Sequence, residues 1–137
     1  IPLRLVGSEM CIRDRTHPLR VRPCERLTDA VIATTAPELF TPPELGAWTQ
    51  VMAAARLARY GCDAYAYAML AMGRIDMVAE TGLKAWDWSA LVPVIEAAGG
   101  EVTDWRGQPV SDDGRILAVG DPRVREQALV AFRRGAQ

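Results

Sequence analysis

Between Tyr60 and Gly100 the hydrophobic period switches from helical to alternating and back, with glycines at the joints. After Gly61, the stretch Ala64–Met72 reads as a helix with Tyr67, Leu70 and Ala71 on one side, and Gly73 ends it. Asp63 stands where a carboxylate caps such a helix. Ile75 to Thr81 reads as a short strand, in which Ile75, Met77 and Ala79 alternate with Asp76, Val78 and Glu80. Val78 blurs the alternation, as a sheet with helices on both faces requires. Gly82-Leu83-Lys84 is a loop. Trp86-Asp87 then opens an apolar helix from Trp88 to Ala98, closed by Gly99-Gly100. Pro93 must either fall in that helix's first turn or kink it.

The flanks continue the alternation. Leu27 to Thr35 is a strand by its β-branched residues, and Pro37 to Pro43 is a loop. Glu44 to Ala58 is a helix with Trp48, Val51, Met52 and Ala55 as its apolar stripe, and Arg56 to Tyr60 is extended. Glu101 to Trp105 is a strand, and a turn at Arg106–Pro109 suggests a hairpin return through Val110. Ile116 to Val119 is another strand. Asp121 and Pro122 then cap and begin a helix from Arg123 to Arg134, with Val124, Ala128, Leu129 and Phe132 inward. The order β-α-β-α-β-α-β-β-α implies an α/β fold: a layered mixed-sheet domain.

A length of 137 residues supports one domain with a real core. The first 23 residues differ from the rest: they hold five arginines and show no amphipathic period. Within them, Val6–Arg15 (VGSEMCIRDR) resembles a translated sequencing-adapter remnant. Residues 1–23 are therefore expected to be an artefactual or disordered leader, and residues 24–137 the domain. A net charge of -1 without a basic stripe speaks against nucleic acid. No apolar run reaches membrane-spanning length. The three cysteines leave one unpaired in any disulfide scheme, which points to a reducing, cytoplasmic setting. The single histidine, His17, lies in the leader, so a histidine-based triad has no support.

Asp87 is the strongest candidate for chemistry. A carboxylate beside a helix N-terminus is held anionic and suits Mg²⁺, and the same placement equally suits a cap. Glu80, at a strand end before a glycine loop, is placed to accept a hydrogen bond from a ligand hydroxyl or ammonium, or is an ordinary surface acid. Lys84 either meets a phosphate or faces solvent. Metal-assisted phosphoryl hydrolysis needs several converging carboxylates. Asp76 lies most of a strand away from Glu80 and Asp87, so the catalytic set looks incomplete.

The residues from Gly82 to Gly100 resemble a carboxyl-terminal motif of the inositol monophosphatase superfamily: Trp86-Asp87, an apolar run, then Glu96-Ala97-Ala98-Gly99-Gly100. Val102-Thr103-Asp104 and Gly107 extend the likeness. Arg59-Tyr60-Gly61-Cys62-Asp63-Ala64-Tyr65-Ala66-Tyr67 and Gly82-Leu83-Lys84 are similar to the histidinol-phosphatase branch. The resemblance implies that Asp87 binds Mg²⁺ and helps place a phosphate. It implies that Glu80, Asp63, Gly61, Arg59 and Lys84 face the substrate. It also implies an upstream metal-binding Glu and an Asp-Pro-Ile-Asp-Gly-Thr-like segment, and neither is found here. The expectation is therefore the carboxyl-terminal half of an inositol-monophosphatase-like fold, inactive alone, from a Mg²⁺-dependent histidinol-phosphate phosphatase of histidine biosynthesis. Its partner would be a small phosphorylated metabolite, and the parent would be a homodimer, as related enzymes commonly are. The alternatives are an inositol-phosphate or other small-metabolite phosphatase, and a non-catalytic α/β interaction domain.

Overall fold

The computed structural model describes residues 9–12 and 15–137. Residues 1–8, 13 and 14, part of the segment read above as a leader, lie outside the described residues.

Two short strands, β1 (Glu9–Ile12) and β2 (Arg15–Pro18), pair antiparallel. The main sheet has five strands in the order β4-β3-β5-β7-β6. These are β3 (Val31–Ala33), β4 (Leu57–Arg59), β5 (Met77–Glu80), β6 (Glu101–Thr103) and β7 (Ile116–Val119). β3 runs parallel to β4 and β5, and β7 runs antiparallel to β5 and β6, so the sheet is mixed.

Successive side chains on the strands point to opposite faces, and each face has its own core. Ile32, Met77, Ala79, Leu117 and Val119 pack on one side. There they meet Ala47, Trp48 and Val51 of helix α1 (Pro42–Ala54) and Val124, Ala128, Leu129 and Phe132 of helix α5 (Pro122–Gly135). Ala33, Val78, Ile116 and Ala118 pack on the other. Their partners are Ala66, Tyr67 and Leu70 of helix α2 (Ala64–Ala71) and Ile95 of helix α4 (Leu91–Ala97). This explains why Val78 breaks the alternation: both faces of β5 are covered. Each fully buried aliphatic side chain contributes about 1.5 to 3 kcal/mol. α1 and α5 approach closely where Gly135 faces Ala47; a Cβ on Gly135 would lie 2.7 Å from that methyl.

Several boundaries move from their sequence-based places. Leu27–Asp29 forms a single 3-10 turn rather than strand, and the strand narrows to Val31–Ala33. Pro37–Leu39 forms another such turn. α1 begins at Pro42, because Thr41 and Glu44 close a capping box there: the Thr41 N–H donates to Glu44 Oε2 at 2.8 Å. The expected helix from Trp88 to Ala98 is two helices, α3 (Ala85–Trp88) and α4. Pro93 falls in the first turn of α4, where a proline is tolerated. Trp105 lies beyond β6, fully buried, with its Nε1–H donating to the Ile116 carbonyl at 3.1 Å. The strand returning against β6 is β7, not a hairpin through Val110. α5 starts as expected, with the Asp121 carboxylate accepting the Arg123 N–H at 2.9 Å.

The segment before Cys24 touches the domain. The Val21 N–H donates to the Ala98 carbonyl at 3.0 Å. Arg22 grips Asp76 through two hydrogen bonds. Residues 21 and 22 therefore share in the domain's contacts.

Candidate functional site

The carboxyl end of β5, the loop after β3, the start of α2 and helix α3 surround one cavity of about 350 Å³. Asp63, Glu80 and Asp87 all line it, with Thr34, Thr35, Tyr67 and Thr81 as further polar residues. Leu39, Phe40, Leu83 and Leu91 supply apolar walls. Among the described residues the lining includes no lysine, arginine or histidine. Among the described residues no three His, Cys, Asp or Glu side chains come together as a metal-binding group.

Glu80 is the innermost acid. It is 6% exposed, at the last position of β5. The Thr35 hydroxyl donates to its Oε1, and the Tyr67 hydroxyl donates to its Oε2 at 2.7 Å. Burial pushes the Tyr67 phenol well above its ordinary pKa, and the Glu80 charge and hydrogen bond raise it further. Neither Thr35 nor Tyr67 stands out as a site residue in the sequence. A tyrosine on an apolar helix face reads as core, and its reach to Glu80 depends on how α2 packs on β5.

Asp87 caps α3 and borders the cavity. Its Oδ2 accepts the Lys84 N–H at 2.8 Å and so caps α3. The residue also lines the cavity, and it is exposed. The loop that carries it is braced from outside: the Leu83 N–H donates to the Gly114 carbonyl at 3.2 Å. Gly114 sits at φ +75°, and a Cβ there would come within 2.7 Å of the Leu83 carbonyl oxygen, so only glycine fits.

Asp63 departs from expectation. It precedes α2, but its side chain accepts no capping bond. Its backbone sits at φ +46° and ψ −137°, the one non-glycine residue with positive φ among the described residues. A β-carbon resists that conformation, and such strain is of order 1–3 kcal/mol. The residue lines the cavity.

The remaining candidates lie outside the lining. Gly61 is exposed at φ +76° and donates its N–H to the Thr35 carbonyl at 2.9 Å, beside the wall but not in it. Lys84 is exposed and contributes its backbone N–H to Asp87. Arg59 is exposed on β4, where it borders a separate apolar groove with Leu57, Tyr65 and Met69.

Glu44 supports the site from behind and is not legible as a site residue in the alanine-rich α1. It is 2% exposed. Its Oε1 accepts from Arg115 Nε at 2.7 Å and from the Thr81 hydroxyl at 3.0 Å. Burial alone would raise its pKa, but the Thr41 N–H, Arg115 and Thr81 together pull it below the usual glutamate value.

A family model described as the inositol monophosphatase family matches residues 5–136. The chain belongs to this family. It is 42% identical to the bifunctional phosphatase IMPL2, chloroplastic, of Arabidopsis thaliana over 120 residues, covering 81% of this chain and 35% of that protein. It is 36% identical to the inositol-1-monophosphatase of Mesorhizobium japonicum over 133 residues, covering 93% of this chain and 49% of the relative. A solved inositol monophosphatase from Zymomonas mobilis superposes with a TM-score of 0.82 at 35% identity, covering 86% of this chain and 49% of that one. The chain thus spans between about a third and a half of the length of these relatives.

Two expectations are corrected by these matches. The narrower assignment to the histidinol-phosphatase branch gives way to the family as a whole, since similarity over most of the chain extends to proteins named as inositol monophosphatases. The expectation of a half-fold, and of a function read as a fragment of a histidinol-phosphate phosphatase, is likewise replaced. The family match takes in residues 5–136, nearly all of the chain and not only a carboxyl-terminal part of a domain, and the described residues carry the inositol-monophosphatase-like α/β fold.

Proposed function

We propose that this chain serves a Mg²⁺-dependent phosphomonoesterase that acts on an inositol phosphate or another small phosphorylated metabolite. One observation carries the reading: three acids, Asp63, Glu80 and Asp87, line a single cavity, and among the described residues its lining holds no basic side chain. A phosphate dianion entering such a space needs a counter-cation. A divalent metal supplies one, and family membership supports Mg²⁺ as that metal.

The donor set fits this ion. Mg²⁺ takes hard oxygen ligands, and one or two protein carboxylates plus substrate phosphate and water are a usual complement. Asp87 offers such a carboxylate, with one oxygen committed to the Lys84 N–H and the other without a hydrogen bond among the described residues. When bound, Mg²⁺ polarises a phosphoryl oxygen and lowers the pKa of a coordinated water. The chain's own residues hold and orient. Asp87 supplies the metal-facing oxygen. Glu80 accepts a hydrogen bond from the alcohol portion of the ester. The apolar side chains of Leu39, Phe40, Leu83 and Leu91 keep bulk water from the carbon framework. Asp63 is a second oxygen donor at the rim. The described residues contain no helix long and apolar enough to cross a membrane. Cys24 and Cys62 are free thiols, which suits a reducing compartment such as the cytoplasm.

Calorimetric titration of the full chain with inositol 1-phosphate, with and without Mg²⁺, tests the reading. The expected result is binding that requires Mg²⁺, is lost in Asp87→Asn and is weakened about tenfold in Glu80→Gln. Binding that ignores both Mg²⁺ and Asp87→Asn would overturn it, and so would no binding at all.

A further inference from the structure

The β5–β7 ladder ends in an offset. Met77 pairs with Val119, and each following pair keeps step down to Glu80 against Ile116. The next backbone contact is the Leu83 N–H on the Gly114 carbonyl at 3.2 Å. Two residues, Thr81 and Gly82, thus stand opposite one, Arg115, as in a β-bulge. An extra residue on one side inverts the face that the following side chains take. Met77 and Ala79 face α1 and α5, Val78 and Glu80 face α2, and Thr81 returns to α1, where it meets Glu44. Strict alternation would put Leu83 on the α1 face as well. It packs instead against the cluster of Val78 and Tyr67 on the α2 face, and it lines the cavity.

We propose that Glu44 is a positioning residue: it holds this offset, and so aims the loop that carries Asp87. Glu44 belongs to α1 and is 2% exposed. Its Oε1 accepts from both residues just past the ladder's end, the Thr81 hydroxyl at 3.0 Å and Arg115 Nε at 2.7 Å. Among the described residues no backbone bond links Thr81 to Arg115, and one carboxylate oxygen bridges the two chains in its place. Gly82 then turns at φ +74°, in a space where a Cβ would meet no atom. Conformation, not crowding, calls for glycine there. From Gly82 the chain reaches Lys84, whose N–H binds Asp87. The inference rests on the phosphatase reading above for what Asp87 does, and adds the device that places it.

Both oxygens of Glu44 are in use. Oε2 takes the Thr41 N–H at 2.8 Å, while Oε1 takes the two donors from the ladder's end. A glutamine has one acceptor oxygen and an amide nitrogen that only donates. It can keep the α1 cap or the bridge between Thr81 and Arg115, but not both. Glu44 is not among the described residues that line the cavity, so an effect of its substitution on a ligand passes through the loop.

Two measurements on the full chain test this: amide hydrogen exchange without ligand, and calorimetric titration with inositol 1-phosphate and Mg²⁺. In Glu44→Gln, exchange at the Leu83 amide should quicken about tenfold while the buried Val78 amide keeps its rate. Binding should weaken about tenfold. Thr81→Val, which keeps the shape and drops the hydroxyl, should show both effects. Thr81→Ser, which keeps the hydroxyl, should stay within about threefold of wild type in each. That serine–valine pair decides the matter if Glu44→Gln does not fold. Val124→Ala hollows the core under α5 and is the control for general destabilisation. Its affinity should stay within about threefold of wild type. Unchanged Leu83 exchange in Glu44→Gln would overturn the proposal, as would Thr81→Ser failing like Thr81→Val. A loss of affinity in Val124→Ala equal to that in Glu44→Gln would do the same. Failure of the phosphatase reading looks different: wild type would bind without regard to Mg²⁺, or not bind, while the quickened Leu83 exchange in Glu44→Gln persisted and still upheld the offset.

Discussion

Arg22 and Asp76 lie 54 positions apart and meet in a two-pronged ion pair, with Arg22 Nε on Oδ1 at 2.7 Å and its terminal nitrogen on Oδ2 at 2.5 Å. Asp76 is 1% exposed and also accepts the Val31 N–H at 2.8 Å. One carboxylate thus joins the segment before Cys24, the start of β3 and the approach to β5. Arg22→Met keeps the aliphatic stem but strands a buried carboxylate, and we expect a loss of about 2 to 3 kcal/mol in urea unfolding. Arg26→Met removes the exposed pair with Asp29 and should leave the unfolding midpoint unchanged. Equal midpoints for the two variants would remove the structural role assigned to Arg22.

Asp63 should show stability and binding pulling in opposite directions. Asp63→Gly relieves a strained φ of +46° and is expected to stabilise the fold by about 0.5 to 1 kcal/mol, after the entropy cost of an added glycine. The same change removes a cavity carboxylate and should weaken Mg²⁺-dependent binding of inositol 1-phosphate. Thermal melts and calorimetry on one preparation check both halves.

Asp121 predicts an acid limb in the stability curve. The Arg123 side chain lowers its pKa most, burial opposes this, and the Arg123 and Cys24 N–H groups lower it further. The folded value lies below the unfolded one of about 4. The unfolded chain therefore binds the proton first as pH falls, and the contribution, fully present at neutral pH, is lost progressively below about pH 4. Asp121→Asn should flatten that limb in urea unfolding between about pH 2 and pH 5. Asp121→Ala should also cost about 1 kcal/mol at neutral pH through the lost cap of α5.

Tyr67 predicts an alkaline limb. Its folded pKa lies above the unfolded value of about 10, so the unfolded chain releases its proton first. Stability present below pH 10 is then lost as pH rises toward the folded value. In an ultraviolet titration the Tyr67 phenolate should appear later than an ordinary tyrosine. Glu80→Gln removes a negative charge and should bring it earlier, and an unchanged curve would contradict the contact.

What the sequence reveals and what it hides follows from range. The start of α5 is legible because Asp121-Pro122 is a local signal, complete within three residues. Asp63, Glu80 and Asp87 can be picked out as acids at element ends, and the fold brings them to one cavity. The break between α3 and α4 is not legible, because an apolar run looks the same whether or not it turns at Ser89-Ala90. The Asp63 cap is misread because backbone conformation, not residue type, decides where the carboxylate points. Glu44 and Tyr67 escape notice because their partners come from elements 37, 71 and 13 positions away.

The polar turn from Ser111 to Arg115 holds both edges of the cavity. Gly114 receives the Leu83 N–H on the loop leading to Asp87. Arg115 reaches Glu44, which in turn holds Thr81 beside Glu80. A surface turn of this kind ordinarily tolerates insertion. Here its length works as a spacer between the Asp87 and Glu80 sides, and adding a residue would change the distance between them without replacing any residue that lines the cavity.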